Sequence, residues 1–525
     1  MNRLRLSVLW GVLLGLAALL ASLNGCGGGS SSSSPTPPSG PTPIQHIVVV
    51  FQENRSPDNL FGSNPSFEPG VDIVSPNDAK ITCHGTPVSL TSVPMKSCYD
   101  VGHGHGNFVN TCDLDPNTHT CKMDGACTVN VFNSCQQKPT NPAYRFVDNS
   151  TGTVQPYFDI ATWYGFANRM FQTNQGPSFP AHQFIISGTS APVFYPNHFF
   201  DWFVSENAPG IPAQDNTGCT APVGQYVQVI DPSGSEGTCT AQDGQHCQFP
   251  CFDHPTLTDQ IDASGGKLTW RYYAPSAGIS WNSPTAISHI CQPSADRTHC
   301  EGSSWNQNVV LDPKQVLTDL GANPSNPQCN LANISWVIPD GKYSDHAQAT
   351  DGTGPSWVAS IVNALGQDPN HCGYWPNTVI LITWDDWGGW YDHVPPFSPA
   401  GYPNGGGNGK QYVYGFRVPL LVVSAYSPSA GNPGYVSNHN HDFGSILSFM
   451  EYVFGLREVN YQFNYPYADH FAPELSEGEP YALADFFNFN QQPRQFHAIT
   501  AAHDATHFLN DTSPPTDPDD DDDSN

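Results

Sequence analysis

Residues 47–54 read Ile-Val-Val-Val-Phe-Gln-Glu-Asn, an apolar run that ends abruptly in polar side chains. A continuous run of β-branched and aromatic residues is typical of a strand covered on both faces, because a strand with one wet face alternates apolar and polar residues. Three more runs of this kind follow, at residues 334–338, 378–383 and 419–424. The sequence therefore predicts several buried strands.

Helical segments are expected between or after these strands, over residues 356–365 and 443–454. Strands that alternate with helices indicate an α/β protein whose largely parallel central sheet is flanked by helices. In such sheets, ligands bind outside the carboxyl ends of the strands. We therefore look for the functional site in the residues that directly follow the strands.

Potential metal ligands follow three of the four runs. Glu53 and Asn54 end the first, Asp385 and Asp386 end the third, and the second soon reaches His346. Adjacent carboxylates repel each other when both are ionised, and a divalent cation removes that repulsion. The alternative for the aspartate pair is the capped start of a helix, where acidic side chains meet the positive end of the dipole.

The stretch after the aspartate pair, residues 387–393, reads Trp-Gly-Gly-Trp-Tyr-Asp-His. Its two glycines permit a tight turn, since glycine adopts backbone conformations that other residues avoid. We expect this turn to return Asp392 and His393 toward the same edge of the sheet.

The charge balance excludes one large class of function. The chain has 525 residues, 38% of them hydrophobic, so it can bury the core of a large globular domain. It carries only 18 Lys and Arg against 47 Asp and Glu, for a formal net charge of -29. Nucleic-acid binders neutralise phosphates with clustered Lys and Arg, so we expect no nucleic-acid partner.

The N-terminus has the pattern of an export signal. Arg3 and Arg5 precede an apolar run over residues 6–23, and the run is followed by Asn-Gly and Cys26. The ending resembles a bacterial lipobox, which predicts a lipoprotein anchored to a membrane through Cys26 and facing the periplasm or the cell surface. A plain transmembrane anchor is the alternative, because the run is about long enough to span a bilayer.

Composition shifts divide the rest of the chain. Residues 1–26 are expected to be the signal peptide, and residues 27–43 a flexible Gly/Ser/Pro-rich stalk. Residues 44–510 are expected to form the folded catalytic domain. Residues 511–525 are expected to be an acidic disordered tail.

Fourteen cysteines follow Cys26, and an even number outside the cytoplasm predicts up to seven disulfides. Six of them crowd between residues 83 and 135, and this segment and residues 207–300 are expected to be loop-rich insertions. Cys247 and Cys251, with His246 and His254, also have a spacing compatible with zinc. Disulfides are the preferred interpretation in an exported chain.

The first run and its continuation, residues 47–62, resemble the opening signature of the bacterial phosphoesterase family that contains non-specific phospholipases C and related acid phosphatases. Pro57 stands where that signature usually has Phe. The resemblance extends over residues 44–494. Further motifs follow in family order: Asp100-Val-Gly-His103, Lys122-Met-Asp-Gly125, Gly176-Pro-Ser178-Phe-Pro180, Ser187-Gly-Thr189, Trp270-Arg-Tyr-Tyr273, residues 385–394, Gly415-Phe-Arg-Val-Pro419 and Gly444-Ser-Ile-Leu447.

The resemblance implies a fold similar to alkaline phosphatase and one divalent metal ion. The positions that match the family's metal ligands are Glu53, Asn54, Asp385 and Asp386. Ser178 matches the family's nucleophile, which also reaches the metal and forms a phosphoserine that water then hydrolyses. Oxygen-rich ligation suits Mg, Ca, Mn or Fe, and Zn stays open.

Three histidines lie in segments that resemble the family's histidine motifs: His103, His346 and His393. We expect them to bind phosphoryl oxygens, and one of them to protonate the leaving group. A purely structural histidine is the alternative for each. Protonated imidazoles would also offset the acidic field around an anionic substrate, which favours activity below neutral pH.

Four positions depart from the family pattern: Asn168 replaces Asp, Ala181 replaces Asn, and Asn438 and Phe443 replace His. These changes bear on leaving-group specificity, and the sequence leaves open a phospholipid diester or a small phosphomonoester as substrate. The predicted function is metal-dependent hydrolysis of phosphate esters. A surface-displayed binding lipoprotein that keeps the fold without turnover is the alternative, and a sulfatase-like hydrolase is a weaker one.

Overall fold

The computed structural model describes residues 42–118, 120–137, 139–192, 202–207, 217–231, 236, 239, 246–326, 328–366, 372–396, 414–429, 431–459 and 478–516. Cys26, the signal peptide and nearly all of the stalk lie outside these ranges. Within them, no helix combines the length and the apolar character that a bilayer crossing requires.

An eight-stranded sheet forms the centre of the molecule. Its strands are β1 (His46–Gln52), β2 (Gly165–Ala167), β3 (Trp270–Tyr273), β4 (Val309–Val310), β5 (Ile334–Val337), β6 (Thr378–Trp384), β7 (Leu420–Ser424) and β8 (Tyr435–Ser437). Shorter strands lie at Thr82–Cys83, Thr86–Pro87, Thr91–Val93, Tyr99–Val101, Val131–Asn133, Arg145–Val147, Met170–Phe171, Phe203–Val204, Val227–Ile230, Cys247–Gln248, Gln292–Pro293, Cys300–Glu301 and His441–Asp442.

The described α-helices are α1 (Pro57–Phe61), α2 (His105–Cys112), α3 (Gln155–Trp163), α4 (Ser178–Ser187), α5 (Leu257–Asp262), α6 (Ser303–Asn308), α7 (Gln315–Asp319), α8 (Gly354–Gly366), α9 (Phe443–Phe454) and α10 (Ala505–Leu509).

The strands run in the order β4-β3-β5-β1-β6-β7-β2-β8 across the sheet. The first five are parallel to their neighbours. Strand β7 is antiparallel to both β6 and β2, while β8 is parallel to β2. All residues of β6 and β7 are buried, as expected for strands covered on both faces.

Helices cover both faces of the sheet, because successive side chains of a strand point to opposite sides. On one face the Phe51 ring lies 4.7 Å from the ring of His182 in α4 and 5.2 Å from that of Phe443 in α9. On the other face the next residue, Gln52, contacts the hydroxyl of Tyr157 in α3 at 3.5 Å. Strand β1 therefore lies at the centre of three layers.

The α/β fold with a largely parallel sheet is confirmed, and the four predicted strands and two predicted helices are present. Two details differ from expectation. The strand predicted at residues 419–424 runs against its neighbours. Residues 207–300, expected to be a loop-rich insertion, also contain β3, which pairs with β5.

The fourteen cysteines form seven disulfides, a content typical of exported proteins. The pairs are Cys83–Cys127, Cys98–Cys135, Cys112–Cys121, Cys219–Cys251, Cys239–Cys247, Cys291–Cys300 and Cys329–Cys372. Both cysteines of the possible zinc motif are used in these bonds, so disulfides and not zinc are present there.

The ordered body extends beyond the boundary expected at residue 510. Lys342 Nζ donates to Asp511 Oδ2 at 2.8 Å, and the Thr516 carbonyl accepts from the Gly341 N–H at 3.1 Å. Residues 511–516, which were expected to belong to a disordered tail, thus contact the folded body, and the boundary at residue 510 stays a prediction. Residues 517–525 lie outside the described ranges.

Candidate active site

The ends of β1 and β6 bring the first and last predicted ligand pairs together. Gln52 is paired in register with Trp384, so the residues that follow them leave the sheet side by side. The Asn54 N–H donates to Asp385 Oδ1 at 2.9 Å, and the Arg55 N–H donates to the Asp386 carbonyl at 3.1 Å. Sheet register therefore fixes this part of the site.

A glycine turn completes the contact between the segment after β1 and the segment after β6. Gly388 has a φ of +62°, and its N–H donates to Asp386 Oδ1 at 2.6 Å. A Cβ atom at this position would lie 2.3 Å from the Asn54 carbonyl oxygen. Only glycine permits both the left-handed backbone and this close approach.

Ser178 is the first residue of α4, and its side chain lies among the same carboxylates. Its Oγ is 3.2 Å from Glu53 Oε2 and 3.5 Å from Asp386 Oδ2, with its hydroxyl as the donor. The Phe179 N–H, in the first turn of α4, donates to Asn207 Oδ1 at 2.9 Å. The structure thus places the predicted nucleophile beside two of the predicted metal ligands.

The donor set fits a divalent cation. All five predicted ligands are completely buried, and they supply carboxylate, amide and hydroxyl oxygens. Asn54 Oδ1 and Asp385 Oδ2 have no hydrogen-bond partner, although both atoms are inaccessible to solvent. Buried oxygens without donors are costly unless a cation or water binds them, and this site has them where the metal is expected.

His182 belongs to the same site, although the sequence interpretation did not single it out. Its Nε2 lies 3.0 Å from Glu53 Oε1, on the carboxylate whose other oxygen contacts Ser178. Ligand atoms of Glu53, His182 and Asp385 all lie within 4.8 Å of one another. Burial lowers the pKa of His182 to about 4, so this imidazole is neutral. The sequence did contain one signal for His182. It lies four residues after Ser178, and residues four apart in a helix share one face.

His103 lies next to these carboxylates and His346 lies beside His103, while the catalytic roles predicted for both stay predictions. His103 Nδ1 is 2.8 Å from the Val101 carbonyl, which can only accept, so the ring proton is on Nδ1. Its Nε2 then accepts from Asn54 Nδ2 at 3.1 Å, and lies 4.0 Å from Asp386 Oδ2. The His346 ring centroid is 6.1 Å from that of His103. Burial lowers the pKa of His346, which makes it a neutral group.

A second group that the sequence did not reveal supports the segment of His103. Glu206 Oε1 accepts from the His105 N–H at 2.8 Å. Burial, followed by the neighbouring Glu236, raises the pKa of Glu206 well above its ordinary value. The adjacent Asn207 binds the first turn of α4, so residues 206 and 207 position both His103 and Ser178.

The structure does not bring His393 to Ser178. Its Nδ1 lies 2.7 Å from Asp58 Oδ2 and its Nε2 lies 3.1 Å from Asp72 Oδ1. Burial alone would lower the pKa of His393, but the hydrogen bonds and charges of Asp58 and Asp72 outweigh it and raise the pKa to about 9. The catalytic role predicted for His393 stays a prediction, and its contacts are those of a charged structural residue.

Arg417 and Asp392 extend this ion cluster, with Arg417 Nη2 donating to Asp392 Oδ2 at 3.0 Å. Beside it, Asn168 Nδ2 donates to Asn438 Oδ1 at 2.7 Å. These are two of the positions that depart from the family pattern. An amide pair therefore replaces an acid and a histidine here, and the change lies beside the ion cluster, away from the contacts of Ser178.

A family model described as the Phosphoesterase family matches residues 44–457. A non-hemolytic phospholipase C of Pseudomonas aeruginosa is 22% identical, over 79% of this chain and 55% of the relative. Phospholipase C A of Mycobacterium tuberculosis is 24% identical over 80% and 74%, and non-specific phospholipase C3 of Arabidopsis thaliana is 23% identical over 82% and 72%. The chain thus spans about half the length of the Pseudomonas relative.

Among solved structures, a protein in the alkaline phosphatase superfamily from Vibrio parahaemolyticus is 8% identical, with a TM-score of 0.28 over 80% of this chain and 69% of the other. The lipoteichoic acid synthase LtaP of Listeria monocytogenes is 9% identical, with a TM-score of 0.27 over 75% of each chain.

Proposed function

The chain belongs to the Phosphoesterase family, as its motifs predicted, and from that premise we propose that it is a metal-dependent hydrolase of phosphate esters. The observation that carries the proposal is the position of Ser178, whose Oγ faces Glu53 Oε2 and Asp386 Oδ2 in a buried cluster of oxygens. A helix N-terminus also suits an anionic group.

In the proposed reaction, Ser178 Oγ attacks phosphorus and the bond from phosphorus to the leaving oxygen breaks. The hydroxyl proton passes to the carboxylate that faces it, at Glu53 Oε2. A divalent ion held by Glu53, Asn54, Asp385 and Asp386 would supply the positive charge that activates the hydroxyl and neutralises phosphoryl oxygens. Water then hydrolyses the phosphoserine, with the serine as the leaving group.

The chain's own residues do the positioning. His182 and Ser178 contact the two oxygens of Glu53, which fixes the rotation of that carboxylate. Asn54 Nδ2 fixes the ring of His103. Because Nε2 of His103 is an acceptor and His346 is neutral, one of these rings first takes up a proton from solvent beside the bound anionic phosphate and then gives it to the leaving oxygen. Because these groups are already in place, little reorganisation is needed during the reaction.

The proposed substrate is a phospholipid or a small phosphomonoester, a choice supported by the phospholipase C names of the relatives. The proposed location is outside the cytoplasm, with a lipid anchor at Cys26 that keeps the enzyme near membrane lipid. The alternative is a non-catalytic binding lipoprotein. A complete set of buried oxygen ligands favours the enzyme, because paired carboxylates at strand ends are costly without a cation.

The test is hydrolysis of a generic phosphomonoester and of a phosphocholine diester, together with metal analysis of the purified chain. We expect Ser178→Ala to lose at least about 10³-fold in kcat while it retains the metal. Asp385→Asn is expected to lose both metal and activity. Ser187→Ala is the matched control, since Ser187 is a buried serine of the same helix whose hydroxyl contacts two backbone carbonyls, those of Gln183 and Thr189. Full activity in Ser178→Ala, or no turnover of either substrate by wild type, would contradict the proposal.

A further inference from the structure

A second cluster of ligand-type side chains lies at the β8 edge of the main sheet. His439 and His441 follow β8 directly, and Glu479 and Asp485 come from the segment after residue 478. Ligand atoms of His439, Glu479 and Asp485 all lie within 4.8 Å of one another. The His439 and His441 ring centroids are 6.4 Å apart. Two parts of the chain about forty residues apart thus converge on one point.

The carboxylate of Asp485 is only partly used by hydrogen bonds. Its side chain is 7% exposed, and Oδ2 accepts from the Tyr435 hydroxyl at 3.1 Å. Oδ1 is inaccessible to solvent and has no hydrogen-bond partner, and it lies 3.8 Å from His441 Nε2. The Asp485 N–H donates to Glu479 Oε1 at 3.2 Å, which brings a second carboxylate against the first.

A compensating cation is missing from the described neighbours of Asp485. In the described ranges, no Lys or Arg forms an ion pair with it, and its ion-pair contact is with His441. A buried carboxylate oxygen without a hydrogen-bond donor is costly, which favours a cation at Asp485 Oδ1.

We propose that His439, Glu479 and Asp485 bind a second divalent metal ion of the zinc type, separate from the ion at Ser178. One imidazole nitrogen and two carboxylate oxygens form a donor set that zinc accepts, with water or His441 in the fourth position. The five ligands predicted around Ser178 all offer oxygen and suit a harder ion, so the two sites differ in the metal that each prefers.

The position of this site indicates a structural role. The metal would join the segment that leads from β8 into α9 to the segment after residue 478. Helix α9 packs against α4, which begins with Ser178. Binding free energy at such a site adds to the free energy of unfolding, because the unfolded chain does not hold the ligands together.

The test is zinc binding by the full chain after metal has been stripped, measured by calorimetry and by metal analysis. It is made in the Asp385→Asn background, which removes the site at Ser178. We expect one equivalent of Zn²⁺ that raises the Tm. Glu479→Gln, Asp485→Asn and His439→Gln are each expected to weaken zinc binding by about tenfold or more and to abolish the rise in Tm.

His299→Gln is the control, because His299 is an exposed imidazole 3.4 Å from a single carboxylate, that of Glu301. It should leave the zinc equivalent and the Tm rise unchanged. If Asp485→Asn fails to fold, His439→Gln decides, since His439 is partly exposed. Zinc affinity that stays within twofold of the parent in His439→Gln and Glu479→Gln, or no zinc uptake by the parent, overturns the proposal.

Discussion

At the scale of single residues, the site depends on one carboxylate held from two sides. Glu53 Oε2 faces the Ser178 hydroxyl and Oε1 faces His182 Nε2. A metal ligand that is oriented by an outer hydrogen bond binds its ion more tightly, because its rotation is already restricted. In the proposed site His182 is therefore a positioning residue, since it would act through Glu53.

We predict that His182→Asn lowers metal affinity by about 10- to 100-fold and lowers kcat/KM with it. His254→Asn is the matched control: His254 is also buried with a pKa lowered to about 4, and its Nδ1 contacts the Ala191 carbonyl. Both variants should lose stability, but only His182→Asn should change metal affinity, measured by titration of the stripped protein. Equal metal affinities in the two variants would assign His182 a packing role only.

His393 gives a prediction for the pH dependence of stability. Its pKa of about 9 in the folded chain lies above its ordinary value of 6.5. The stabilisation is therefore fully present below about pH 6.5 and is lost as the pH rises through 9, and it amounts to at most about 3 kcal/mol. His393→Gln should be less stable than wild type at pH 6.5 and nearly equal to it at pH 10 in urea unfolding. A stability difference that does not change with pH would contradict this assignment.

Sequence reasoning found some site residues and missed others for physical reasons. Glu53 and Asp385 follow buried strands, so strand-end logic alone placed them together. Ser178 follows no main-sheet strand, and only the family resemblance placed it there. Glu206 follows a two-residue strand in an insertion, where no periodic pattern marks it. Side chains that reach the site only through tertiary packing have no local sequence pattern that identifies them.

At the scale of elements, long apolar runs were predicted well, whereas short or mixed strands were not. Strand β3, Trp270–Tyr273, includes Arg271 and is only four residues long, so it lacked the continuous apolar signal of β1. The antiparallel direction of β7 could not be predicted, since a buried strand has the same composition in either direction. Direction is decided by the connections, which composition does not show.

The turn after β6 gives a prediction at this scale. Gly388→Ala should remove metal binding and activity, because its Cβ would meet the Asn54 carbonyl at 2.3 Å in a left-handed conformation. Gly455→Ala is the matched control, with a φ of +64° and no atom within 4 Å of the added Cβ. It should cost only about 1 kcal/mol of stability and leave metal binding intact. Metal analysis and thermal unfolding of both variants separate backbone strain from steric collision.

At the scale of the whole molecule, disulfides hold the connections between sheet strands. Cys329 lies just before β5 and Cys372 just before β6, at a sequence separation of 43. Replacing both with serine should lower the free energy of unfolding by about 4 kcal/mol in the loop-entropy model. The Cys291–Cys300 pair closes a separation of only 9, so its removal should cost less, about 2.5 kcal/mol. Chemical unfolding of the two double variants measures the difference.

The pairing of β1 with β5 and β6 has a consequence for synthesis of the chain. Asn54 and Asp385 meet across 331 residues of sequence, and among the described strands β1 pairs only with β5 and β6. Glu53 and Asn54 therefore leave the ribosome long before Asp385 and Asp386 are synthesised. Contacts between residues so far apart in sequence form slowly. A nascent chain shorter than 386 residues lacks the complete set of proposed metal ligands, so the proposed function predicts that premature termination anywhere before that point yields an inert product.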